Sequence, residues 1–280
     1  CMCMRKGCEN EGTVKVMGIK NRGGRSGFLC DFHARRLDGY SVENDYRKGN
    51  RKANGLTYSW ELETSNSNLE TRTNLLNLGF IATSDCTVDV EYKSPIYEGL
   101  NAPIKHCDTI QMYINEGNLE INDTCGSHFH VGHVDYINRT TCGYSDSYLV
   151  RFYHSLFIPL CEAMKANPEG VEKIFGRNFG RWAQPIDEYT DALRHENFIN
   201  LQHSYTIEYR ICKFVNAEQM KNAMRCCKDF TEAVINNFIV HFNDTDFDRT
   251  RYADATAYRK HKAQVTAKKL VKIFEKYASL

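Results

Sequence analysis

"CGSHFHVGHV", residues 125–134, carries His128, His130 and His133 within six positions. Followed on to Ile137, the stretch alternates as a β-strand does. Side chains two apart on a strand share a face, so His128 and His130 lie together, and His133 falls on the other face. A zinc centre built on three imidazoles needs all three rings to converge. The parity therefore favours a sheet strand that presents two imidazoles, and the question becomes what surrounds them.

Carboxylates answer it. In "LTYSWELET" (56–64), a second strand, Glu61 and Glu63 are two apart and share a face. Glu91 sits inside "TVDVEYKSPIY" (87–97), and Glu208 and Arg210 share a face in "SYTIEYRICKF" (204–214). These acidic positions interrupt strands with strongly apolar neighbours. If one sheet gathers them, its face carries at least four carboxylates, two imidazoles and an arginine. That charge cannot be left dry and unpaired. Divalent cations with oxygen ligands resolve it, and magnesium or manganese working with phosphate suits carboxylates better than zinc does.

The remaining elements set the class. Helical periodicity appears over 107–117, 145–167, 168–177 (Pro168 opening its first turn), 217–241 and about 250–278. Strands and helices mix without a βαβα rhythm, which predicts an α+β fold around an antiparallel sheet. The last helix carries seven Lys/Arg and one Glu; we expect a solvated face, with Val265, Leu270, Ile273 and Phe274 packing inward.

The chain has 280 residues, 42% hydrophobic and 25% charged, with a net charge of +1. This is ordinary globular composition, and nothing in the overall charge argues for nucleic acid. No run of about 18 apolar residues offers a membrane span. There is no G-x-x-x-x-G-K-[ST] phosphate loop, which disfavours an ordinary P-loop ATPase. No secretory signal opens the sequence, and the twelve cysteines are expected to be reduced thiols in a cytoplasmic protein.

Four of those cysteines fall in the first 30 residues. Cys3-x4-Cys8 and Cys30-x2-His33 form two chelating pairs about twenty residues apart, with Cys1 able to replace Cys3. This spacing predicts a structural zinc module over 1–34, since four protein ligands leave no open position. Polar residues 35–54 read as a linker, and the main domain spans 55–280.

The ordered set of motifs resembles a known family. The E-x-E strand, the Asp85…Glu91-x-x-Ser94-Pro95 segment, the C-G-x-H-x-H-V strand and the T-I-E-x-R strand are similar to those of the amidoligases. These belong to the glutamine synthetase-like superfamily of carboxylate–amine ligases, and the likeness runs from about Thr57 to Phe214. It implies a curved antiparallel sheet with helices on one side, whose concave face holds ATP and two or three divalent metals. By the same resemblance Glu61, Glu63, Glu91, His130 and Glu208 are ligands of Mg2+ or Mn2+. His128 lies beside His130 near the phosphates, and Arg210 meets phosphate or an acyl-phosphate. Arg194 is a further phosphate contact, and Arg177 and Arg181 are lesser ones. Where family members carry Gly just before E-x-E, Ser59 and Trp60 stand here.

The expected activity is ATP-dependent amide-bond formation through an acyl-phosphate, on an amino acid, peptide or protein that supplies carboxylate and amine. Two alternatives stay open. One is a binding protein that kept the sheet without catalysis. The other is a zinc hydrolase built on His128, His130 and His133. The residues do not name the acid or the amine, because specificity resides in loops without motifs. Oligomeric state is likewise open.

Overall fold

The structure is a computed structural model that describes residues 11, 14–18, 27–29, 40–42, 56–83, 88–132, 147–186, 196–200, 206–236 and 255–280. Cys1, Cys3, Cys8, Cys30, His33, Asp85, His133 and Arg194 lie outside these residues.

Three short strands come first: β1 (Val14–Gly18), β2 (Gly27–Leu29) and β3 (Tyr40–Val42). They form a small antiparallel sheet in the order β2-β1-β3. The β1–β2 hairpin lies in sequence between the two proposed chelating pairs. β3 falls in the stretch read as linker, so this sheet continues past residue 34.

The main sheet has six strands in the order β10-β11-β9-β4-β7-β6, and every pairing in it is antiparallel. Its members are β4 (Thr57–Thr64), β6 (Ile81–Thr83), β7 (Val90–Lys93), β9 (Ser127–Gly132), β10 (Ile199–Asn200) and β11 (Thr206–Tyr209). A two-stranded pair, β5 (Asn66–Ser67) and β8 (Leu119–Glu120), stands apart from it. The described residues add six helices: α1 (Leu69–Asn77), α2 (Asn101–Asn115), α3 (Ser147–Ala166), α4 (Pro168–Phe175), α5 (Ala217–Val234) and α6 (Ala255–Ser279). The α+β class with an antiparallel sheet is as the element order predicts.

The expected curvature is a correction: the main sheet is open and not curled. Bulges and glycine kinks are what bend a sheet. Here the β4–β9, β4–β7 and β9–β11 registers each run residue against residue without a skip. Several strands are also shorter than predicted, because pairing ends before apolar patterning does. The helix expected from residue 107 begins at Asn101. Pro103 lies in its first turn, where a missing N–H loses no intrahelical bond. The short edge strands β6 and β10, and α1, have too little periodicity to be seen in the sequence.

Alternation divides the sheet into two faces. Tyr58, Trp60, Leu62, Tyr92, Phe129, Val131, Ile207 and Tyr209 are buried on one of them. Helices α5 and α2 cover that face. The Tyr209 ring stacks on Phe230 of α5, and its hydroxyl lies 2.8 Å from Thr231 Oγ1. Cys107 Sγ of α2 meets Met224 Sδ of α5 at 4.0 Å. Asn216 caps α5 by accepting from the Gln219 N–H at 2.9 Å, which fixes where the helix starts below the sheet. On α6, Leu270 and Phe274 are buried as expected, but Val265 is 44% exposed. Ala263, Thr266 and Ala267 occupy the inward stripe instead.

Candidate functional site

The opposite face of the sheet is polar, and the registers decide which groups meet. Asn200 pairs with Glu208, Glu208 with His130, and His130 with Ser59. One step along, His128 pairs with Glu61, and Glu61 with Lys93. On the next rung Glu63 pairs with Glu91, and Glu91 with Thr83. Four motifs from separate stretches of chain thus become the adjacent strands β11, β9, β4 and β7.

Glu61, His130 and Glu208 converge most tightly. Each offers a ligand atom within 4.8 Å of the others', and among the described residues this is the one group of its kind. Ligands on opposite sides of a small divalent cation, at about 2.1 Å each, stand about 4.2 Å apart. Two carboxylates and an imidazole at this separation suit such an ion, with small side-chain adjustments. Magnesium and manganese both accept the oxygen-rich set, and the imidazole favours manganese.

Of the other residues expected to bind metal, Glu63 and Glu91 are held by protein donors. Glu63 Oε2 accepts from the Gly126 backbone N–H at 2.5 Å, and Glu91 Oε2 accepts from Thr83 Oγ1 at 2.8 Å. A Cβ on Gly126 would stand 2.7 Å from His128 Nε2, so this glycine lets the backbone approach the site closely.

His128 bridges the acids. Its Nδ1 is 3.2 Å from Glu208 Oε1 and 3.5 Å from Glu61 Oε2, close enough for ion pairs though not aligned as hydrogen bonds. Burial alone would push this imidazole down, but the Glu208 and Glu61 carboxylates outweigh it and lift it to about 9. Burial alone would raise the Glu61 carboxyl; His128, His130 and Lys93 instead hold it well below its usual range. Glu91 moves the other way, raised by burial and by the charge of Glu61 against the pull of Lys93 and Thr83.

Arg210 follows β11. Its Nη1 donates to Glu208 Oε1 at 2.8 Å, and its backbone N–H donates to Phe198 at 2.8 Å. Glu208 is 2% exposed, and its other oxygen accepts from Asn200 Nδ2 at 2.7 Å. Arg177, a candidate phosphate contact in the sequence, has a different setting. Its Nε donates to the Ile211 carbonyl at 3.2 Å and its Nη2 to the Arg210 carbonyl, tying down the main chain beside Arg210. Arg181 is exposed and lies 4.7 Å from the Trp182 ring centre, with no place among these groups.

Lys93, Asn200, Thr83 and the Gly126 N–H were not anticipated. Lys93 was legible, being two residues after Glu91 on the same strand and hence on the same face. Asn200 lies in a two-residue edge strand with no periodic signal. Ser94, in the motif with Glu91, works in the ladder instead: its Oγ accepts from the Trp60 N–H at 2.9 Å.

No protein-family model matches this chain, and no curated protein is similar to it in sequence.

Proposed function

We propose that the chain is an ATP-dependent carboxylate–amine ligase of the glutamine synthetase-like type. The observation that carries this reading is the convergence of Glu61, His128, His130, Glu208 and Arg210 on one face of the neighbouring strands β4, β9 and β11. The motifs that suggested the resemblance lie far apart in sequence. Their meeting on one face of the sheet supports it. A purely structural face has no need for four carboxylates so close together, since burying charge is costly even when it is paired.

Glu61, His130 and Glu208 would hold a divalent cation. When bound, that ion neutralises the phosphate oxygens of ATP and draws charge from the phosphoryl group in transfer. The chain's own groups do the rest. Arg210, fixed by Glu208, Phe198 and Arg177, presents a guanidinium where negative charge builds on the transferred group. His128 keeps Glu61 and Glu208 apart and correctly turned. A substrate carboxylate oxygen bonds to the γ-phosphorus while the bridging P–O bond breaks and ADP leaves. An amine then bonds to the acyl carbon, phosphate departs, the amine loses a proton, and an amide remains. The substrate is an amino acid, a peptide or a protein. A structural zinc on Cys3 or Cys1, Cys8, Cys30 and His33 accompanies this proposal.

Among the described residues no helix is long and apolar enough to cross a membrane.

The test is ADP release from Mg-ATP with hydroxylamine as the amine and a panel of amino acids and peptides as the acid. Acid-dependent ADP and hydroxamate are expected, with Glu61→Gln inactive and Arg210→Met slower by about 10²–10³-fold. Zinc-dependent hydrolysis of amides or esters without ATP would favour the hydrolase alternative.

A further inference from the structure

Lys93 closes the polar face on its β7 side. Its Nζ donates to Glu61 Oε1 at 2.7 Å and lies 3.2 Å from Glu91 Oε2. The two oxygens of Glu61 thereby divide their work: Oε1 goes to the ammonium, while Oε2 faces His128 and His130 at 3.5 and 3.7 Å. A carboxylate shared between two cations is how paired metal sites are built. Here one of the two cations is part of the chain.

Charge balance points the same way. Among the described residues, Glu61, Glu63, Glu91 and Glu208 face the permanent cations Lys93 and Arg210, so at most two negative charges remain, and fewer with His128 protonated. One divalent ion at Glu61, His130 and Glu208 is enough to cancel them. Among the described residues no second group of three ligands converges as these do, and an ion beside β7 would need Glu91 and Glu61 Oε1, which already sit against the ammonium. Glu91 Oε2 also accepts from Thr83.

We propose that Lys93 Nζ takes the place of a second divalent cation, so that this face binds a single Mg2+ or Mn2+ through Glu61, His130 and Glu208. The inference rests on the metal assignment in the proposed function, and it departs from the two or three ions that the resemblance implies. Its consequence is that Glu61 and Glu91 keep their positions before nucleotide arrives, because the ammonium is always present.

The experiment counts Mn2+ bound to the full chain without nucleotide, by paramagnetic resonance of free against bound ion. Manganese is a hard cation and avoids the N-terminal thiols. The wild type should bind one ion, lost in Glu61→Gln. Glu91→Gln should still bind one, since Glu91 is not a ligand. Lys93→Met should bind two, the second lost again in Lys93→Met/Glu91→Gln. Two ions in the wild type with one lost in Glu91→Gln would overturn the proposal. So would no ion in the wild type, or no gain in a folded Lys93→Met. Should Lys93→Met fail to fold, the Glu91→Gln count decides. The ligase reading is judged separately by ADP release, so the two can fail independently.

Discussion

Replacing Glu208 by alanine tests how the polar face is held together. The carboxylate is 2% exposed and accepts from Arg210 Nη1 at 2.8 Å and Asn200 Nδ2 at 2.7 Å, with His128 Nδ1 3.2 Å away. Arg210 is itself only 8% exposed, so the substitution takes from a buried guanidinium the carboxylate it donates to at 2.8 Å. Breaking a buried pair from one side typically costs about 3–5 kcal/mol. At about 2–4 °C per kcal/mol for a domain of this size, the melting temperature should fall by about 10 °C. The assay is thermal unfolding followed by circular dichroism in EDTA, so that loss of a metal ligand does not contribute. Glu208→Gln should lose about half as much, because an amide oxygen can still accept from Asn200. In the double variant Glu208→Ala/Arg210→Met, the buried charge is gone. Its loss should be smaller than the sum of the single losses by at least about 1 kcal/mol. A Glu208→Ala protein that melts with the wild type, or strictly additive single losses, would refute the claim that the two form one buried unit.

Three further outcomes follow from other parts of the structure. Gly126→Ala places a methyl group 2.7 Å from His128 Nε2 and 3.2 Å from Glu63 Oε2; it should cost about 1–3 kcal/mol and weaken Mn2+ binding, measured by melting and by titration. Arg177→Met removes donors to the Ile211 and Arg210 carbonyls; it should lower stability by about 2–4 kcal/mol and reduce kcat, with little change in KM for ATP, whereas a phosphate-binding arginine would raise that KM. His106 packs against Phe80 and Tyr97, and burial pushes its imidazole below the ordinary 6.5. The native state therefore binds this proton more weakly than the unfolded chain does. The contribution is intact above pH 6.5 and is lost as pH falls below it. His106→Gln should lose less stability than wild type between pH 7 and pH 5 in parallel urea titrations.

Much of this site could be read before any coordinates, because strand parity is a strict rule. Two-residue spacings put Glu61 with Glu63, His128 with His130, and Glu208 with Arg210, and the sheet keeps each pair on its face. Parity cannot say which strands are neighbours. The registers set Glu63 and Glu91 on a rung beyond the converging trio and pair them with each other, where like charges would repel without Lys93, Thr83 and Gly126. Those partners were passed over for different reasons. Lys93 looks like any solvated lysine on a strand, and a backbone N–H such as that of Gly126 carries no sequence mark. Arg177 shows what proximity to the motifs leaves out: its guanidinium donates to the Ile211 and Arg210 carbonyls at the end of β11. The curved sheet was implied by the resemblance alone, and the unbroken registers do not produce it.

The most direct test of the central claim follows oxygen. The acid in the panel that gives ADP is labelled with 18O in its carboxylate, and the released phosphate is examined by mass spectrometry. Transfer through an acyl-phosphate predicts one 18O in each phosphate formed, in step with ADP. Phosphate free of label, or no acid that elicits ADP at all, would contradict it.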